Sequence, residues 1–357
     1  MTGYFYILVI NPGSTSTKLS LFENDKVLFQ ETVNHSSKSL TLFNNISNQY
    51  EFRLNVILKF LKKKKINLKN IHAVVGRGGL LKPLKSGTYR INRKMIDHLK
   101  NGIYGEHASN LGALLSDHIA QKASIPAYIV DPVVVDEMDC IARISGIPEL
   151  PRKSIFHALN QKAVGRKAAR DLGKKYQDVN LIVVHMGGGI SIGIHYKGKV
   201  IDVNNALNGE GPFTPERSGT LPVGDLVKLC FSGKYSKSDV MSMIKGKGGM
   251  MAYLNTNNVE KVLLEIKKGD KYSSLIIEAM AYQISKAIGE GATVLKGNVD
   301  AIVLTGGISH SNQFNEMIKD QVSFISLVMV YPGEEEMLSL CQGALRVLLG
   351  EEEEQIY

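Results

Sequence analysis

A strand-turn-strand pattern occurs twice in this chain, and the repetition limits the possible folds more than any other feature. Residues 7–28 read ILVINPGSTSTKLSLFENDKVL and residues 181–201 read LIVVHMGGGISIGIHYKGKVI. In each copy an apolar run ends on one polar side chain, Asn11 or His185. A turn of small residues follows, then a second strand, a hairpin and a third strand that begins Lys-Val. Matched positions lie 174 residues apart before the turn (Asn11 to His185) and 173 after it (Lys26 to Lys199), close to half of the 357 residues. Similarity at so long a spacing points to a duplicated domain. The length agrees, because single cores stop growing at roughly 250–300 residues and two are therefore expected.

Around the two copies, strands alternate with helices, which makes the fold class α/β. Residues 50–65 carry apolar side chains at helical spacing; 71–75 and 127–130 read as strands, and 110–123 as a helix. Residues 273–295 form a long helical segment, 301–304 a strand closing on Thr305-Gly306-Gly307, and 336–349 a final helix after Pro332-Gly333. Acidic residues open that last helix, where its positive end favours them. A first domain is expected over residues 1–150, joined by the C-terminal helix at about 336–357, and a second over 151–335. The chain is expected to cross between the halves near 131–153 and 332–336, and the domains to close over substrates.

Lys and Arg number 43 against 34 Asp and Glu, and the resulting +9 suits anionic small substrates. Two runs distort that balance, basic at 62–65 and acidic at 351–354. Without interleaved aromatics or a nucleic-acid motif both read as solvated surface, so no nucleic-acid partner is expected. Three widely spaced cysteines outside any CxxC pattern argue against a disulfide framework or a zinc site. The apolar opening at 4–10 lacks a preceding basic residue and stops at Asn11-Pro12-Gly13, and no run of about 18 apolar residues follows. A soluble cytoplasmic protein without a membrane partner is expected.

Three strand-to-turn junctions carry small residues: GSTST at 13–17, GGG at 187–189 and GG at 306–307. Such turns let backbone N–H groups and hydroxyls approach phosphate oxygens closely. Neither G-x-x-x-x-G-K-[ST] nor G-x-G-x-x-G occurs, so another nucleotide-binding architecture is required. The segments VINPGSTSTK, RGG at 77–79, FHALN at 156–160, HMGGG at 185–189, FTPERSG at 213–219, LTGGIS at 304–309 and PGEEE at 332–336 together resemble the acetate and butyrate kinases. The resemblance runs in order from residue 4 to about 349. It is closer to the butyrate branch, because the chain is short and only Glu216 separates Pro215 from Arg217, where the acetate branch carries an insert.

That family belongs to the actin-like ATPase superfamily. The resemblance therefore implies two duplicated actin-like (ribonuclease H-like) domains around a nucleotide cleft, and a homodimer or larger homo-oligomer. It implies reversible transfer of the ATP γ-phosphoryl group to a short-chain carboxylate, butyrate or a branched acid of four or five carbons, with Mg²⁺. A carboxylate with a pKa of about 4–5 is ionised at neutral pH and needs no general base to attack. The difficulty is to bring it up to a triphosphate, which calls for cations, a metal and fixed donors around a charge-spread transition state.

The resemblance places phosphate and metal contacts at Asn11, Ser14, Ser16 and Lys18, and further nucleotide contacts at Gly187, Gly188, Gly189, Gly306, Gly307 and Ile308. Arg77 and Arg217 would hold the carboxylate and the transferring phosphoryl group, a task suited to guanidinium forks. His185 would donate to phosphoryl oxygens, and His157 is open between a catalytic part and a hydrogen bond at a helix start. Asp131 and Glu335, with Asn11, would orient Mg²⁺ through water. The register among Glu334, Glu335 and Glu336 stays open. His107 either lines the acid pocket or caps a helix, and Gly78 with Gly79 is expected to leave room for a longer acid. Three alternatives stay open: an acetate or propionate kinase of the same family, a sugar kinase of the same superfamily with Asp131 as its base, and a chaperone-type ATPase on the same fold.

Overall fold

The computed structural model describes residues 3–43 and 45–357. It divides into two compact units, Met1–Val135 with Glu335–Tyr357, and Asp136–Glu334. The chain passes from one to the other between Val135 and Asp136 and again between Glu334 and Glu335, whereas the sequence reading drew its boundaries at 150 and 335.

The first unit opens with β1 (Tyr6–Pro12), β2 (Ser16–Glu23), β3 (Lys26–Asn34), β4 (Ala73–Arg77), β5 (Thr88–Arg90) and β6 (Ala127–Val130). The second contains β7 (Asn180–Met186), β8 (Ile190–Tyr196), β9 (Lys199–Val203), β10 (Ala301–Gly306) and β11 (Val328–Pro332). A last strand, β12 (Gln355–Ile356), returns to the first unit. The sheets run β12-β5-β6-β4-β1-β2-β3 and β11-β10-β7-β8-β9. Setting aside β5 and β12, strand orders β6-β4-β1-β2-β3 and β11-β10-β7-β8-β9 are the same arrangement, as a duplication requires.

The correspondence extends to local irregularities. Both hairpins turn in two residues, Asn24-Asp25 and Lys197-Gly198, with φ of +53° at Asn24 and +46° and +84° at Lys197 and Gly198. Left-handed turn residues of this kind match the twist of the strands they join. Each hairpin also carries a register shift at the matched place, between Leu21 and Phe22 and between Ile194 and His195.

The central strands are buried throughout: Ile7, Leu8, Val9 and Ile10 in β1 and Leu181 to Val184 in β7 are inaccessible to solvent. Such strands are covered on both faces, and continuous apolar runs are what that demands. Helices Asn110–Ala123 and Glu336–Leu348 pack on β1, β4 and β6, and helices Ala158–Asp171 and Lys271–Val294 pack on β7. Each sheet is completed by the helix that follows the other sheet's last parallel strand in sequence.

Strands β5, β11 and β12 and the helices Val223–Cys230, Lys237–Ile244 and Val259–Lys267 were not anticipated. The acidic run also departs from the solvated reading. Glu352 accepts from Thr88 N at 3.0 Å and Arg346 Nε at 2.7 Å, and Glu354 pairs with Arg90 and accepts from Tyr128 Oη at 3.1 Å. Pairing of β12 with β5 brings these carboxylates over the sheet edge. All three cysteines are free, and among the described residues no helix is long and apolar enough to cross a membrane.

Candidate functional site

In the first unit, parallel strands β1, β4 and β6 end side by side, with Ile10 opposite Gly76 and Arg77 opposite Val130. Asn11, Arg77 and Asp131 therefore lie along one carboxyl-end edge, where open α/β sheets bind ligands. Asn11 Nδ2 donates to Glu336 Oε2 at 2.8 Å, and Arg77 Nη1 is ion-paired with Oε1 of the same carboxylate. Within the glutamate run it is thus Glu336 that meets Asn11 and Arg77. Glu335 is exposed, and its carbonyl accepts from Ser339 Oγ at 2.8 Å.

Asp131 is buried with φ of +36°, a left-handed backbone that costs an L-residue roughly 1–2 kcal/mol. Its Oδ1 accepts from Ser86 Oγ at 2.6 Å and from Gly87 N at 2.8 Å. Asn11 and Asp131 stand two strands apart, about 10 Å at ~4.8 Å per strand, and each side chain already has a partner, Glu336 for Asn11 and Ser86 with Gly87 for Asp131. Among the described residues no group of three or more His, Cys, Asp or Glu side chains could hold a metal. The residues fit an ion held mainly by water and phosphate oxygens.

On the first turn Ser14 and Lys18 are exposed and Ser16 is half-buried. Beneath it lies a residue the sequence reading missed, Arg53. This fully buried side chain projects from helix Tyr50–Lys63 and donates to the carbonyls of Gly13, Ser14 and Ser16 at 2.8, 3.0 and 3.0 Å. The room expected at Gly78 and Gly79 is already filled. A Cβ on Gly78 would lie 2.6 Å from Pro132 Cβ, and one on Gly79 2.6 Å from Asn110 Cα. These glycines are packing surfaces, not pocket walls. His107 serves the helix start, its Nδ1 accepting from Ser109 N at 3.2 Å.

In the second unit β7 and β10 end together, Thr305 pairing with His185, and Gly306 pairs with Pro332 of β11. Gly306 takes φ of +89°, and a Cβ there would run into Met186 backbone. His185 is buried, with Nδ1 2.7 Å from Asn160 Oδ1. Its Nε2 lies 3.1 Å from Glu334 Oε1 but out of hydrogen-bonding alignment, so that buried nitrogen has no hydrogen-bond partner. The half-buried His157 stacks on His185 with centroids 3.8 Å apart and planes 14° apart, and its Nδ1 lies 2.9 Å from Ser191 Oγ.

Arg217 joins this group from the FTPERSG loop. Its Nη1 donates to Ala206 O, while Nε is buried without a partner. Burial pulls the guanidinium pKa below its ordinary value, opposed by the Glu216 carboxylate. The fork lies directly against Gly189, where any Cβ would overlap Nη1. Thr214, also missed, ties the two motifs together: Oγ1 donates to Gly188 O at 2.7 Å and accepts from Arg217 N at 3.0 Å. Beside these turns opens a cleft of about 840 Å³, lined by Gly187, Gly188, Asn257, Gly307, Ile308 and Asn312 among others. That volume suits a nucleoside-sized ligand. The structure thus gathers His157, His185, the 187–189 turn, Arg217 and Glu334 in the second unit, and Asn11, Arg77, Glu336 and the 13–17 turn in the first.

Residues 149–336 match the acetokinase family. Over 353 residues, 99% of either chain, the sequence is 57% identical to butyrate kinase 2 of Clostridium acetobutylicum and 55% identical to butyrate kinase 1 of the same organism. Among solved structures, an acetate kinase of Porphyromonas gingivalis is similar with a TM-score of 0.78 at 20% identity, over 96% of this chain and 100% of that one. The similarity gives the fold as that of the actin-like ATPases.

Proposed function

Because the chain belongs to the acetokinase family, we propose that it transfers the γ-phosphoryl group of ATP reversibly to butyrate or a branched acid of four or five carbons. ADP and an acyl phosphate are the products. What carries the choice of acid is the identity to two butyrate kinases over nearly the whole of both chains. A carboxylate oxygen attacks the γ-phosphorus, the bond to the bridging oxygen breaks, and ADP leaves with that bond's electron pair.

The residues divide the electrostatic task. Arg217 offers a planar fork with one buried N–H unclaimed by the protein, ready for an oxygen whose charge grows in the transition state. His185 offers Nε2 to the same group, with Asn160 and the His157 ring fixing its plane. Arg77, neighboured by Glu336 and Asn11, would position the acid carboxylate. The cleft beside Gly307 and Ile308 would take the adenosine end, and the 13–17 turn would hold phosphate oxygens. Mg²⁺, when bound, would supply charge neutralisation on the triphosphate, with Asn11 and Asp131 acting through its waters. A cytoplasmic location and a homo-oligomer complete the proposal, supported by the family resemblance.

Trapping the acyl phosphate formed from ATP, Mg²⁺ and acids of two to six carbons tests the reading. Turnover is expected to be greatest with four- and five-carbon acids. Phosphorylation of glucose or glycerol with no carboxylate accepted would overturn it.

A further inference from the structure

Arg53 is an unusual buried cation. All three guanidinium nitrogens donate, to the carbonyls of Gly13, Ser14 and Ser16, to Thr17 Oγ1 at 3.3 Å and to Gln49 Oε1 at 2.8 and 3.1 Å. These partners are all neutral. Buried charges are ordinarily paired, because the interior solvates them poorly. Burial alone lowers the Arg53 pKa, with no carboxylate raising it again. A carboxylate in the place of Gln49 would neutralise the cation, and the chain has an amide there instead.

The peptide geometry gives the arrangement a purpose. In a planar trans peptide the C=O and the following N–H point in opposite directions. With the Gly13 and Ser14 carbonyls drawn inward onto Arg53, the N–H groups of Ser14 and Thr15 are turned the other way. Successive N–H groups facing outward form a concavity suited to an anion. We propose that Arg53 is a positioning residue for the anionic end of the nucleotide: it sets the peptide planes of the 13–17 turn, and its unneutralised charge adds to their attraction for phosphate oxygens. The inference rests on the reading of that turn as a phosphate site.

The test compares the parent with Arg53→Met, Arg53→Lys and Leu54→Ala. Leu54 is a buried apolar residue of the same helix and has no polar group to bond the turn, so its truncation measures the effect of lost packing. Arg53→Met should lower kcat about 10- to 100-fold, as expected when a binding turn shifts by about 1 Å. It should raise KM for ATP and leave KM for butyrate within about twofold, while Leu54→Ala keeps kcat within about threefold despite a lower Tm. Arg53→Lys keeps the charge but not the fork, so it should lose kcat as well; it carries the comparison if the methionine variant does not fold. Amide exchange read without substrates should be faster at residues 13–17 in the Arg53 variants and unchanged in β7. An inactive parent would sink the kinase reading and leave exchange at 13–17 to decide the role of Arg53. Unchanged exchange there, or an equal loss of kcat in Leu54→Ala, would overturn the inference.

Discussion

The two copies of the duplicated hairpin share strand order, two-residue turns and even the place of the register shift, yet they supply positive charge to their turns from opposite sides. After β1 the turn is hydroxyl-rich, and its cation, Arg53, is buried beneath it against the carbonyls. After β7 the turn is three glycines, and its cation, Arg217, lies across the face that the missing side chains leave open. A cation held beneath a turn can only orient it and act through its field. A cation laid across a turn can reach the reacting group. The duplicated backbone has been kept while the source of charge has moved, and variants that exchange these features should separate the two roles.

Removing the exposed-face cation should have the largest effect. Arg217→Ala is expected to lower kcat by on the order of 10²–10⁴, the loss of a transition-state donor, with ATP affinity nearly intact. Steady-state acyl phosphate formation measures it, and activity within about threefold of the parent would remove Arg217 from the chemistry.

The glycines sharpen the contrast. Gly189→Ala must push the Arg217 guanidinium aside, so kcat should fall by about 10- to 100-fold, and by far less when added to Arg217→Ala. Gly13→Ala in the matched turn has room, its Cβ falling 3.6 Å from Ser16 Oγ, and should keep kcat within about threefold. Equal losses at the two glycines would show that the turns are used alike.

The same comparison explains what could be read from the sequence. Helix 110–123 and strand 127–130 emerged with their observed ends, and the apolar opening at 4–10 falls within two residues of β1 at both ends, because long apolar periods and turn residues decide such elements locally. Arg53 left no mark: one arginine amid helical spacing looks like a surface position, and only the fold brings it under a turn some 40 residues earlier. Thr214 was hidden for the same reason. Helix Val223–Cys230 buries none of its residues, with Val223 and Phe231 exposed, so its apolar stripe is not matched by a core. Gly79 was read as empty space although a helix start occupies it. Gly79→Val should therefore lower stability by about 1–3 kcal/mol or more through overpacking, rather than change the preference between butyrate and acetate. A folded variant of parental Tm would contradict that packing.

The smallest difference lies at the matched register shift, where Phe22 in the first hairpin corresponds to His195 in the second, both inaccessible to solvent. His195 Nδ1 is 2.8 Å from Tyr176 Oη and Nε2 is 3.1 Å from Gln161 Oε1, an arrangement that satisfies a neutral ring. Burial holds its pKa well below the ordinary value, and Lys162 and Arg166 push it in the same direction. In the unfolded chain a histidine titrates near 6.5. Above that pH both states are neutral and the residue is without effect. As pH falls below it, the unfolded chain takes up a proton that the folded chain refuses, and stability drops by about 1.4 kcal/mol per pH unit. Phe22 cannot titrate, so the first hairpin has no such sensitivity at this position. His195→Phe should be less stable at pH 7.5, because Tyr176 and Gln161 lose a partner, but its unfolding free energy should fall less steeply between about pH 6.5 and 5.5, by about 1 kcal/mol over that interval. Denaturant unfolding of parent and variant at several pH values measures the difference, and parallel pH dependences would mean that His195 binds its proton in the folded protein.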